Sequence, residues 1–228
     1  MRGGFDVRPG GSNNVQVRGA VRQGIVVGLA AEARIAAVLG DVATGGGLPA
    51  GAEAAAERLV ARGAEALISF GLAGGLKPGL RAGEIVVPAA VLEAGTRHLT
   101  DPAISRRLGG LTADLMVAGH LVVADAAIKR RLFESTGAVA VDLESGAVAR
   151  VAARHRLPFA VLRAICDPAD RTLPPAALVA LSGDGAIRGL RVLTSLLLHP
   201  WQMRSLILLG RDAAIARRAL IAAAGFAV

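Results

Sequence analysis

Val21–Leu29 reads VRQGIVVGL, a short apolar run that closes on Gly28. A run of this kind, bounded by glycine, predicts a buried strand feeding a turn. The same unit recurs outward from it. Ala30 to Leu39 carries helix formers with an Ala/Ile/Leu stripe and predicts a helix. Asp41 to Thr44 predicts a brief strand closed by Gly45, Gly46 and Gly47, and a helix is expected from Ala50 to Arg62. Ala66 to Phe70 predicts the next buried strand, and Gly71 to Gly75 the next glycine turn. Further strands are expected at Glu84 to Val87, Leu121 to Ala124, Gly137 to Val141 and Phe159 to Ile165, with a helix over Glu144 to Arg154. Strands alternating with helices predict an α/β fold, a mostly parallel sheet with helices on its faces.

The 228 residues suit one domain. Residues 1–20 are Gly-rich and polar and read as a flexible leader; residues 21–228 read as a single domain. Its end, about 185–224, is expected to form two helices, Gly185 to Leu198 and Trp201 to Ala224, split by Pro200. A hydrophobic content of 53% against 19% charged residues excludes disorder for most of the chain. One Cys excludes a disulfide scaffold and a Cys-built zinc site. Lys and Arg outnumber Asp and Glu by 26 to 18, but all cations except Lys77 and Lys129 are Arg. In an Ala-rich chain that bias reads as coding composition as much as function. With no Tyr, one Trp and five Phe, the chain lacks the aromatics of a base-stacking surface, so no nucleic-acid partner is expected. There is no run of about 18 apolar residues free of charge, so the expected compartment is the cytoplasm. His98, His120, His155 and His199 show no metal-ligand spacing, and no metal is expected. Cys166, with no base in view, reads as a small packed residue.

In sheets of this type ligands sit beyond the carboxyl ends of the strands. Glu32, Asp125, Asp142, Glu144 and Asp167 all closely follow predicted strands. Any one of them also fits a helix cap or a solvated turn. Several carboxylates at one end of one sheet point to a site.

Four segments, in order, are SFGLAGGL (Ser69–Leu76), GEIVVP (Gly83–Pro88), VDLESGAVA (Val141–Ala149) and LRAICDPAD (Leu162–Asp170). Together they resemble the purine nucleoside phosphorylase and methylthioadenosine/adenosylhomocysteine nucleosidase superfamily, whose forms read TGSAGGL, GDIVVP, VEMEA and RAISDxAD. The resemblance covers Val21 to Asp170 and a helix after it. It implies a three-layer α/β/α fold with a mixed sheet flanked by helices. GLAAEARIA, VDLES, RAICDPADRTLPP and the tail SLLLHPWQMRSLILLGRDAAIARRAL are similar to the hopanoid-associated phosphorylase branch. That likeness implies removal of adenine from adenosylhopane, leaving ribosyl- or phosphoribosylhopane. A methylthioadenosine/adenosylhomocysteine nucleosidase keeps the fold with another substrate. A non-catalytic nucleoside- or membrane-binding protein is the alternative of a different class.

The resemblance implies a role for each matching residue. Asp167 would assist departure of adenine at N7, which near neutral pH requires a pKa raised by burial. As plain sequence it equally fits a cap before Pro168. Glu144 would hold the ribose hydroxyls, with Leu143 packing under the ribose; Glu144 also fits an ordinary first-turn glutamate. VADAAI (Val123–Ile128) matches the purine loop, so the Ile128 backbone would read the base edge and Ala127 stands where an aromatic stacks; Ala169 is expected at the purine too. Glu32 would serve the attacking water. Gly28, Gly46, Gly47 and Ala73 are the phosphate or water candidates, the glycines through backbone N–H groups. Arg34 reads as a solvated helix residue and Arg163 as structural. No cofactor is implied, and phosphate is the expected co-substrate. The expected partner is an adenine nucleoside with an apolar 5′ group, and a homo-oligomer is expected. The Arg-rich C-terminal helices suit either packing on the sheet or a peripheral contact at the inner face of a membrane.

Overall fold

A computed structural model describes residues 21–174 and 203–227, with side chains in the second stretch from Ser205 onward. The expected leader (1–20), the helix at 185–198 and His199 lie outside the described residues. Element order is β1 (Gln23–Val27), α1 (Ala30–Ala36), β2 (Asp41–Thr44), α2 (Pro49–Ala61), β3 (Ala66–Gly75), β4 (Ile85–Val86), β5 (Pro88–Glu93), β6 (Thr96–Leu99), α3 (Pro102–Arg107), β7 (Ala113–Ala118), α4 (Ala126–Thr136), β8 (Ala140–Asp142), α5 (Ser145–His155), β9 (Phe159–Asp167) and α6 (Met203–Phe226).

The nine strands form one mixed sheet, ordered β2-β1-β3-β8-β7-β5-β6, with β9 paired to β3 and to β4. β1 pairs β2 and β3, β3 pairs β9, and β7 pairs β5 and β8, all parallel. The pairings β3–β8, β4–β9 and β5–β6 are antiparallel. Consecutive residues of the central strands point into different layers, as the period of two requires. Val26, Leu67 and Val161 join the core under α2 and α5. Ile25, Val27, Ile68, Phe70, Ala160 and Leu162 join the core on the other face, with Ala36 of α1, Ile104 of α3 and Ala216, Leu220 and Ala224 of α6. Both faces are covered, which is why these strands read as continuous apolar runs. The three-layer expectation holds.

Several local expectations are corrected. Gly71–Gly75 is not a turn: β3 continues to Gly75, because β9 pairs with it to Gly74 and β8 pairs with Gly74 and Gly75. Leu121–Ala124 is not a strand; the strand of that region is Ala113–Ala118, and Leu121 is 81% exposed. Four apolar residues are too few to mark a strand when a glycine and a helix cap bound them. The hairpin β5–β6, α3 and α4 have no counterpart among the elements the sequence predicts. The hairpin turns on Ala94 and Gly95, both at positive φ, the backbone of a tight two-residue turn. The C-terminal helix packs on the sheet through Asp212, Ala216, Leu220 and Ala224. Its outward side exposes Ile207, Leu208, Ile221 and Phe226.

Candidate active site

Four segments converge at the carboxyl ends of β1, β3, β8 and β9. The centre is Arg163, 1% exposed in the middle of β9. Its Nη2 donates to Ser69 Oγ at 2.6 Å and lies 2.5 Å from Asp142 Oδ2 and 2.8 Å from Glu144 Oε2. Its Nη1 donates to the Leu72 carbonyl at 3.3 Å. Burial works against the guanidinium charge, but Asp142, Glu144 and Glu32 outweigh it, and its pKa is raised. The structural part expected of Arg163 is thus specific: it holds Asp142 and Glu144 together at the strand ends. A lone Arg inside the apolar run FAVLRAI was the available signal, since a cation there must be paired.

Glu32 sits in the first turn of α1 and is buried. Its Oε2 accepts from Leu29 N–H at 2.8 Å and its Oε1 from Leu72 N–H at 3.1 Å, so it ties the end of β1 to β3. Burial raises its pKa, against those hydrogen bonds and Arg163. Asp142 caps α5 in place of the N-cap residue: it accepts from Ser145 Oγ at 2.6 Å and Ser145 N–H at 3.1 Å. Glu144, at the N-cap position, makes no side-chain cap bond and turns to Arg163 instead. Burial raises its pKa to about 7, Arg163 opposing and Asp142 and Glu32 adding. Leu143 lies half-buried between the two carboxylates.

The glycines are the mould. A Cβ on Gly28 would lie 2.2 Å from Glu144 Oε1, and one on Gly71 would lie 2.7 Å from Arg163 Nη1 and 2.8 Å from Glu32 Oε1. Gly71 also has φ +151°, which side-chain-bearing residues rarely adopt. Gly46 and Gly47 are at φ +77°, in the loop before α2, and Gly47 faces Glu144 Oε1. Ala73, by contrast, is a buried strand residue in the α2–α5 core, its carbonyl facing the Cys166 thiol. Arg34 is exposed.

A second charged group lies further along β9. The β3–β9 register slips between Ala73 and Gly74, a bulge that seats Asp167 opposite Gly74. Gly71 pairs with Arg163, so the two groups are three β3 residues apart, roughly 10 Å. Asp167 is buried, and its Oδ2 lies 2.5 Å from Lys129 Nζ. Burial raises its pKa, opposed by Lys129 and Arg171, with Asp212 adding. Lys129, on α4, was missed by the sequence reading of site residues; the one available signal was that it is one of only two lysines in a chain whose other cations are all Arg. Burial also pushes the Cys166 thiol up to about 12, which makes it inert.

The purine-loop expectation is corrected in part. Asp125 caps α4, its Oδ1 accepting from Ala127 N–H at 2.8 Å and Ile128 N–H at 3.1 Å. The Ile128 N–H is thus committed to a cap, and its side chain is 51% exposed. Ala169 follows the Asp167 loop and lines a cleft of about 850 Å³ with Leu76, Leu80, Ala126, Pro168 and Ile215. Among the described residues no group of His, Cys, Asp and Glu could hold a metal ion. Among them, too, no helix is long and apolar enough to cross a membrane.

A sheet whose strand ends carry a buried carboxylate–arginine cluster, with a further carboxylate along the same strand, is an enzyme-like arrangement. The family model of the phosphorylase superfamily matches residues 25–114 and 115–198. The chain belongs to the phosphorylase superfamily and is an enzyme of that class. Its fold is similar to the S-adenosylhomocysteine nucleosidase of Streptococcus pyogenes solved with 5-methylthiotubericidin, at TM-score 0.59 and 19% identity, covering 68% of this chain and 87% of that one. The futalosine hydrolase of Helicobacter pylori gives TM-score 0.60 and 18% identity, covering 66% and 86%. The 5′-methylthioadenosine/S-adenosylhomocysteine nucleosidase of Helicobacter pylori gives 0.61 and 16%, covering 89% and 97%. No curated protein matches the sequence.

Proposed function

We propose that the protein cleaves the N-glycosidic bond of an adenine nucleoside carrying an apolar 5′ group. The single observation that carries this is the buried Glu32–Asp142–Glu144–Arg163 cluster set three strand residues from buried Asp167. That spacing suits a nucleoside laid with its ribose at the cluster and its base at Asp167. Asp167 gives a proton to purine N7, and the C1′–N9 electron pair leaves on the base. Glu144 accepts from the ribose hydroxyls and faces the positive charge growing at C1′, while Leu143 packs under the sugar.

Water is the nucleophile in this reading. Its oxygen bonds C1′ and its proton passes to Glu32. The donor set supports water over the phosphate implied by sequence: Arg163 is ringed by carboxylates, and Gly47, in the loop that would cradle an anion, faces Glu144. Adenosylhopane is the substrate we propose, on the sequence resemblance. Ile207 and Leu208, exposed on α6 near exposed Arg211, support a peripheral contact with lipid. A homo-oligomer is the proposed working form.

The test is free adenine released from adenosylhopane in detergent, with and without phosphate, with methylthioadenosine alongside. Phosphate-independent release from adenosylhopane is expected. Release only with phosphate moves the nucleophile to the Gly46–Gly47 loop. Release only from methylthioadenosine discards the hopanoid substrate and the lipid contact. Adenine bound and never released makes the protein a binder.

A further inference from the structure

Lys129 is a fully buried charge to which the proposed reaction gives no part. An ammonium carries three donors, and Nζ finds three acceptors: Asp167 Oδ2 at 2.5 Å, the Pro168 carbonyl at 3.1 Å and the Arg171 carbonyl at 2.9 Å. That full match is the coordination of a charged lysine. It also stitches α4 to the whole Asp167–Arg171 loop. The other carboxylate oxygen, Asp167 Oδ1, is buried with no hydrogen-bond partner. An orphan oxygen of this kind is costly unless a ligand completes it.

We infer that Lys129 is a positioning residue for departure of the base: it pins Asp167 by Oδ2, reserves Oδ1 for the purine, and stands as counter-ion to the carboxylate left when the proton has gone. This rests on the reading of Asp167 as the acid. The step balances without any further reactant. The Oδ1–H bond breaks as the N7–H bond forms, and the new carboxylate charge is paired at once by an ammonium already in place. A charge formed in a buried site is stabilised most by a partner that need not reorganise. Tethering the two loop carbonyls keeps that ammonium from following the substrate.

Besides Lys129 on α4, the groups that act on Asp167 are Arg171 of its own loop and Asp212 of α6, which are bonded to each other. Removing Lys129 leaves burial less opposed, so the proton is held more tightly. The basic limb of the pH–kcat profile, where Asp167 loses its proton, should then move to higher pH.

The experiment measures adenine release under steady-state conditions across substrate concentration and pH for wild type, Lys129→Met, Asp167→Asn and the double variant. Lys129→Met is expected to lower kcat at least 30-fold, with KM changed less than 3-fold, and to move the basic limb up by a pH unit or more (about 1 or above). The double variant, which removes both buried charges together and so avoids an orphan ion, is expected to match Asp167→Asn. An unchanged limb in Lys129→Met, or a double variant clearly slower than Asp167→Asn, overturns the inference; where the single variant does not fold, the double decides. Wild type that releases adenine normally while Lys129→Met does the same sinks this inference alone. A wild type that releases no base from any nucleoside sinks the proposed function and this inference with it.

Discussion

Two buried ionic groups lie on one strand, and their charge balance differs. Around Arg163 one cation meets three carboxylates, Glu32, Asp142 and Glu144. Around Asp167 one carboxylate meets one dedicated ammonium. An oversupplied cluster cannot ionise completely in a low-dielectric setting, so part of it keeps a proton near neutrality. Glu144, raised to about 7, is where that excess shows. The pair has no such excess of carboxylates, and burial, Lys129, Arg171 and Asp212 together set how tightly Asp167 holds its proton. In the proposed reaction the first region shares protons among several sites, and the second delivers one.

The largest effect should come from breaking the crowded end. Arg163→Met strands Asp142 and Glu144 without their cation, and should cost about 3–5 kcal/mol of stability, read by thermal or urea unfolding, with activity lost. Lys129→Met should cost clearly less, because the one carboxylate it strands can take up a proton. Equal losses would erase the distinction between the two regions. Next, Asp167→Asn should reduce cleavage about 10²–10⁴-fold while sparing ligand binding, checked by turnover beside calorimetric binding. Gly71→Ala should destabilise by about 1–3 kcal/mol, since its φ of +151° and the Arg163 and Glu32 contacts both oppose a Cβ. The smallest effect is a slope. Glu144 is raised from 4.5 to about 7 on folding, so its contribution to stability is fully present below pH 4.5 and is lost as pH rises through 7. Melting temperature should fall over that window, with Glu32 and Asp167 acting in the same direction. Glu144→Gln should flatten part of the fall; an unaltered slope would place the shared proton elsewhere.

Much of this was legible in the residues. The strand–glycine–helix repeat of Val21–Leu39 and Asp41–Arg62 carried the architecture, because period and glycine placement are local properties. Glu32, Glu144 and Asp167 stood out as carboxylates just past strand ends, and the structure places each of them buried there. Arg163 was visible as a charge in an apolar run, yet its role depends on carboxylates from α1 and the β8–α5 junction, which no local pattern links. Lys129 stands out as one of only two lysines, but its burial against Asp167 depends on the packing of α4 on the Asp167 loop, which no local pattern shows. Gly71–Gly75 misled because glycine signals a turn and permits a strand equally. Which one forms is decided by a strand that arrives much later in the chain.

That late arrival also sets how the molecule must fold. Gly71 finds Arg163 and Gly74 finds Asp167 about 90 residues further along the chain. Contacts this remote form slowly, because a long loop must close before any pairing rewards it. Until β9 docks, one edge of β3, through Leu67, Ile68 and Phe70, stays bare and apolar. During synthesis this stretch therefore waits for the chain to lengthen, exposed to misassociation with other unfinished copies. The pairing that completes the candidate site also ends that exposure, so the same strand that guards the chain against aggregation brings Arg163 and Asp167 to their partners.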